Sequence, residues 1–159
     1  MEKQFREQFK VISENLSEVF REMFGGVKAY LKLTDTENVL ESPIEIVAQP
    51  PGKNLQNMQL LSGGERALTA IAILFSILKM KPSPFCILDE IEAALDDSNV
   101  TRFAQYLHKL TKNTQFIVIT HRKGTMEHAD VLYGVTMQEK GISKLISVSF
   151  SEAEQSITA

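Results

Sequence analysis

The sequence predicts an α/β fold: a mostly parallel, buried sheet with helices, an antiparallel β-hairpin after it and an amphipathic helix before it. Three observations carry this. Phe85 to Leu88 and Phe116 to Ile119 are short, continuously apolar runs, the composition of parallel strands covered on both faces. Between them, Val100, Phe103, Leu107 and Leu110 fall on one stripe of a helix, so strand and helix alternate. Tyr133 to Met137 and Ile142 to Phe150 flank Lys140-Gly141, which reads as a hairpin turn.

In chain order, Phe5, Phe9, Ile12, Leu16, Phe20 and Phe24 recur at spacings of three and four, with Glu, Lys, Arg, Gln and Ser between them. That pattern is one face of a helix, which Gly25-Gly26 ends. The helix opens without a capping signal, as a segment of a longer helix does. From Lys28 to Val47 the runs are β-type: Tyr30 to Leu33 alternates, and Ile44 to Val47 follows a polar turn around Asp35 to Asn38. Pro50-Pro51-Gly52 stops the second run, and Lys53 to Gln59 is expected as a polar loop. A helix is predicted from about Gly63 to Met80, closed by Lys81-Pro82-Ser83-Pro84. Its stretch from Ala67 to Leu78 is too short to span a bilayer and is broken by Thr69 and Ser76, so it reads as a core helix. A short helix is expected around Thr125 to His128, and residues 151–159 form a polar tail.

At 159 residues, 43% hydrophobic and 23% charged, the chain has the composition of one soluble globular domain. A net charge of −3 offers no overall basic footprint, so any contact with DNA needs a local patch or parts outside this sequence. The single cysteine, Cys86, excludes a disulfide within the chain and points to a reducing compartment. Met1 leads straight into charged helix with no apolar segment, so no secretory signal is expected. There is no internal repeat and no interdomain linker.

The sharpest motif is Leu61-Ser62-Gly63-Gly64-Glu65. Two readings fit it. Ser62 and Glu65 can form a capping box at the start of an apolar helix. Alternatively, two glycines bare the N–H groups of a helix start, where the dipole favours an anion, and the serine hydroxyl becomes a phosphate ligand. Phe85 to Glu90 is an apolar strand delivering two carboxylates at its end, the place where open α/β sheets bind ligands. There Asp89 can hold Mg²⁺ through water while Glu90 orients or deprotonates an attacking water; the plainer reading is a strand followed by an acidic helix cap. Ile117 to His121 is a second apolar strand ending in a histidine, and His121 reaches the same point if the two strands are neighbours. His108 and His128 read as surface residues of helices. In Ala94-Leu95-Asp96, Asp97 or Ser98 is expected to cap the following helix, leaving Asp96 free.

Helix start, acidic strand end, Asp96 turn and strand-end histidine occur in the order used by ABC-type ATPases. Further runs narrow the resemblance: FGG at Phe24-Gly25-Gly26, PPGK at Pro50 to Lys53, LSGGERALTAIA from Leu61, PSPFCILDE, AALDDSN, and TQFIVITHRKGTMEHADVLYGVTMQEKGISKLISV from Thr114 to Val148. With these, roughly residues 15 to 150 closely resemble the C-terminal lobe of the ATPase head of bacterial SMC proteins, the ATPases of condensin-like complexes.

The resemblance implies that Leu61, Ser62, Gly63, Gly64 and Glu65 form the signature motif, which contacts ATP bound on an opposite head. It implies that Asp89 is the magnesium residue, acting through water, that Glu90 is the catalytic glutamate, that Asp96 is the D-loop aspartate and that His121 is the switch histidine. Residues 1–24 become the end of a coiled coil entering the head, 25–150 the lobe, and 151–159 a flexible tail. The implied cofactors are ATP and Mg²⁺. The implied partners are the N-terminal lobe of the same head, a second head engaged through ATP, the C-terminal winged-helix domain of a kleisin, and DNA in the full complex, with no membrane. The implied location is the cytoplasm, at the nucleoid, in chromosome condensation and segregation.

The sequence departs from the family pattern at Val27, Pro43, Ile91 and Glu92, and it contains no G-x-x-x-x-G-K-S/T phosphate loop. The resemblance therefore implies half a site, inactive until the lobe carrying that loop is added. Three other readings compete. A transporter nucleotide-binding domain usually has Gln where Glu65 stands and has no counterpart of the first helix. A Rad-type DNA-repair ATPase shares LSGGE but is not expected to carry the run from Thr114 to Val148. A kleisin-binding module without chemistry of its own is the third.

Overall fold

The computed structural model describes residues 1–25 and 28–149. Gly26, Val27, the Val148 side chain, Phe150 and the tail at 151–159 lie outside that description.

Helix α1 spans Glu2–Phe24, and Gly25 ends it in the left-handed region at φ 83°, its N–H donating to the Arg21 carbonyl at 2.8 Å. The apolar stripe is buried only in its second half, at Leu16, Val19, Phe20, Met23 and Phe24. Phe5 and Phe9 stay half-exposed and stack on each other at 5.9 Å. Strands β1 (Lys28–Leu33), β2 (Ile44–Gln49) and β3 (Gln56–Asn57) form an antiparallel sheet in that order, with Lys28 opposite Gln49 and Leu33 opposite Ile44. The turn at Asp35 forms because its Oδ1 accepts the N–H groups of Glu37 and Asn38, bonds that hold its carboxyl below the usual range. Part of the expected loop at Lys53 to Gln59 is ordered instead, as β3 and a 3₁₀ turn at Met58–Leu60.

Helix α2 runs Gly63–Met80, as its sequence predicts. Thr69 and Ser76, which interrupt its apolar run, are both fully buried and donate back to the carbonyls of Glu65 and Ala72, so neither hydroxyl is orphaned. Strand β4 (Phe85–Asp89), helix α3 (Asp97–Leu110), strand β5 (Gln115–Ile119), the single turn α4 (Lys123–Met126) and the hairpin β6 (Val131–Glu139) and β7 (Ile142–Ser149) complete the order. The core lies among α1, α2, α3 and the inner face of β1, centred on Phe20, Phe75, Phe103, Leu68 and Met23. Phe75 of α2 stacks on Phe103 and Tyr106 of α3 at 5.9 and 5.5 Å.

Two expectations are corrected here. The sheet is not mostly parallel: among the described residues only β4 and β5 pair in parallel, from Phe85 opposite Gln115 to Asp89 opposite Ile119, and the other strands pair antiparallel. Nor is the parallel pair covered on both faces. Leu88, Cys86, Phe116 and Val118 face the core, but Phe85, Ile87, Ile117 and Ile119 are about half-exposed, Ile87 at 58% and Ile117 at 49%. Side chains alternate across a strand. The helices of this chain cover one face, so every second apolar residue is left bare. The hairpin is exposed as well, with Val135 and Leu145 at 71% and 69%.

Candidate functional site

The start of α2 is built by backbone and side chain together. Ser62 is the N-cap in extended conformation, and the capping box with Glu65 forms. Glu65 Oε2 accepts the Ser62 N–H at 2.9 Å, the Ser62 hydroxyl at 2.7 Å and Lys53 Nζ at 2.9 Å. Partial burial pushes the Glu65 carboxyl up, but the bonds from Lys53 and Ser62, with the Lys53 charge, outweigh it and hold it below its ordinary value. Sequence reasoning missed Lys53 in this role; its only signal is a lysine in the PPGK turn.

The two glycines differ. A Cβ on Gly63 would meet nothing within 4 Å, whereas one on Gly64 would lie 3.3 Å from the Ala94 carbonyl. Gly64 thus lets α2 approach the link between β4 and α3. Leu61 is buried beneath, and Ser62 is exposed.

Asp89 ends β4 and is exposed, and Glu90 follows with φ 48°. For a residue with a Cβ this conformation costs on the order of 1–2 kcal/mol. Glu90 N–H donates to the Ile119 carbonyl of β5 at 2.9 Å, which ties the strained residue to the neighbouring strand end. There His121 Nδ1 stands 3.3 Å from Glu90 Oε1, both side chains more than half exposed. Glutamate and histidine from different strands therefore meet, as expected if β4 and β5 are neighbours.

Asp96 is not free. It is the N-cap of α3, with Oδ1 accepting Asn99 N–H and Oδ2 accepting Asn99 Nδ2, each at 2.9 Å. Asp97, expected along with Ser98 as the cap, is already helical, and its carboxylate takes Arg122 at 2.8 Å. Burial of Leu95 and Val100 fixes the helix register, and only Asp96 then sits where a cap must. His108 is exposed on α3 as predicted. His128 lies beyond α4, half-buried, its Nδ1 2.9 Å from the Gly124 carbonyl.

The fold thus joins Glu90 to His121, and the Gly64 helix start to the link that leads into Asp96. No hydrogen bond among the described residues joins Ser62 to Asp89, Glu90 or His121. No three His, Cys, Asp or Glu side chains among the described residues group tightly enough to hold a metal ion by themselves. No helix among them is long and apolar enough to cross a membrane.

Residues 5–144 match the model of the RecF/RecN/SMC N-terminal domain. The chain belongs to that family. Within it, the similarity runs to SMC proteins. The chromosome partition protein Smc of Bacillus subtilis is 65% identical over 155 residues, covering 98% of this chain. That of Desulfitobacterium hafniense is 62% identical over 148 residues, covering 93%. This SMC-family chain spans only 13% and 12% of the length of those two proteins. Among solved structures, a chain described for ATP-driven dimerization and DNA-stimulated activation of SMC ATPases superposes with a TM-score of 0.89 at 42% identity, covering 99% of this chain and 96% of that one. An Smc head bound to the C-terminal winged-helix domain of ScpA superposes with a TM-score of 0.87 at 43% identity, covering 97% of this chain and 47% of that one.

Proposed function

We propose that this chain is the C-terminal lobe of an SMC ATPase head, acting in chromosome condensation and segregation from the cytoplasm, and that it hydrolyses ATP only with a complementary N-terminal lobe carrying the phosphate loop. The observation that carries this reading is the bare apolar face of β4 and β5, which ends at Asp89 and Glu90. Parallel sheets are stable when both faces are covered. A lobe docked on Phe85, Ile87, Ile117 and Ile119 supplies the missing cover and brings its phosphate loop to the carboxylates.

The donor set suits Mg²⁺ bound with a nucleotide and not a freestanding metal site: Asp89 is one exposed carboxylate beside Glu90, and Mg²⁺ commonly takes one or two carboxylates plus phosphate oxygens and water. Asp89 would hold it, and the ion would neutralise phosphate charge. Glu90 would orient or deprotonate the attacking water, and His121, whose Nδ1 lies 3.3 Å from Glu90 Oε1, would act beside it on the γ-phosphate. Ser62, with the N–H groups around Gly63 and Gly64, receives the γ-phosphate of a nucleotide held on a second head, which requires the Ser62 hydroxyl to leave Glu65. Leu61 anchors that helix start, and Asp96 shapes the turn beside it.

Residues 1–24 are then the end of the coiled coil, 25–150 the lobe and 151–159 a tail. The further partners are a kleisin winged-helix domain, as in the solved Smc head bound to ScpA, and DNA in the full complex. Mixing this chain with a chain carrying the phosphate loop should restore ATP hydrolysis absent from either alone. If the two co-purify and turnover stays at the background rate, the reading fails.

A further inference from the structure

Glu92 is the fully buried carboxylate of the described residues, at 0% exposure, two residues beyond Glu90 in the link from β4 to α3. Its Oε1 accepts two hydroxyls, from Thr120 and, at 3.0 Å, from Thr125. Thr120 directly precedes His121, and its oxygen also accepts the Arg122 N–H at 3.0 Å. Thr125 lies in α4, on the other side of His121. Glu92 Oε2 has no partner among the described residues.

Buried carboxylates are costly and rare unless something specific holds them. Here one oxygen fastens the loop that carries Glu90 to both flanks of His121. The two side chains of the pair have little else to hold them. Both side chains are largely exposed, their mutual contact is long at 3.3 Å, and Glu90 sits on a strained backbone. Reacting groups lose rate steeply when displaced by about 1 Å, so the loops beneath an exposed pair must be pinned from within.

We propose that Glu92 is a positioning residue that sets His121 against Glu90 through Thr120 and Thr125. For its effect on turnover, though not for its effect on geometry, this rests on the ATPase reading above. Because the role needs an acceptor oxygen and not a charge, glutamine should serve and alanine should not.

The test has two arms. In the 159-residue chain alone, NMR of the His121 ring and of the Thr120 and Arg122 amides should show large shifts for Glu92→Ala and near wild-type positions for Glu92→Gln. In the reconstituted head, Glu92→Ala should lower kcat by about tenfold or more, a loss of at least one positioned-group contribution. The nucleotide KM should stay within about twofold, and Glu92→Gln should recover kcat to within about threefold. Should Glu92→Ala not fold, Thr120→Val removes one of the two bonds to Glu92, together with the one from the Arg122 N–H, at nearly equal volume and should lower kcat likewise. Unmoved His121 signals in the alanine or valine variant, or a glutamine variant as impaired as alanine, would overturn the proposal. Shifted His121 signals together with a wild-type head that does not hydrolyse ATP would sink the ATPase reading and leave the positioning role standing.

Discussion

Glu90 pairs exposure with strain: its carboxylate is open to solvent while its backbone takes a conformation most residues avoid. Strain of this kind persists where the surroundings over-determine it, and here the bond to the Ile119 carbonyl and the neighbouring turn do so. Glu90→Gln keeps the size and the backbone but removes the carboxylate proposed as the base. In the reconstituted head it should leave nucleotide binding intact and slow hydrolysis by about 10²–10⁴-fold, so that ATP-engaged heads accumulate on size exclusion. A drop of less than about tenfold means another group takes the proton. That Glu90 and His121 would come together was legible from the strand ends. Glu92 and the capping role of Asp96 were not, because burial and helix register depend on partners distant in sequence.

The elements divide into a packed trio and a projecting hairpin. Helices α1, α2 and α3 meet through Phe20, Phe75 and Phe103, and Tyr106 is buried beside Phe75, with its hydroxyl pushed up to about 12 by burial and then by the charges of Glu22 and Glu18. The folded pKa lies above the ordinary 10.0. The neutral phenol therefore favours the fold below pH 10, and that contribution is lost as pH rises towards 12. Stability of the chain in urea should fall across that window, and Tyr106→Phe should flatten the fall; an unchanged slope in the variant would place its cause elsewhere. The hairpin presents Tyr133, Val135, Met137, Ile142 and Leu145 to solvent, a surface suited to a partner domain by edge or face. Lys140 and Lys144 are exposed near its turn, and Gly141 holds φ 86°. Reversing both lysine charges should weaken binding of a kleisin C-terminal domain, measured by calorimetry. If affinity survives the reversals and also a bulky residue at Gly141, the kleisin docks elsewhere.

At the scale of the whole molecule, one apolar face is left open among the described residues. It is the outer face of β4 and β5, carrying Phe85, Ile87, Ile117 and Ile119. Ile87→Glu places a charge on that face without opening the core. The variant should keep its circular dichroism spectrum and melt within a few degrees of wild type, since exposed substitutions usually shift stability by no more than about 0.5 kcal/mol. Capture of the phosphate-loop chain, and the hydrolysis that depends on it, should fall at least about tenfold, which is the cost of about 1.4 kcal/mol at the interface. Unimpaired capture would mean that the second lobe binds another face.

Local chemistry fixed what the sequence by itself determined. The 3.6-residue period from Phe5 to Phe24, the serine–glutamate box before Ala67, the apolar runs ending at Asp89 and Ile119, and the glycine at 141 specify helix, helix start, strands and turn within a few residues of one another. Only the tertiary structure decided which faces those elements bury. A continuous apolar strand looks the same in sequence whether one face is covered or two. Leu88 is buried and Ile87 is bare because the helices of this chain pack against one side of β4 and leave the other open.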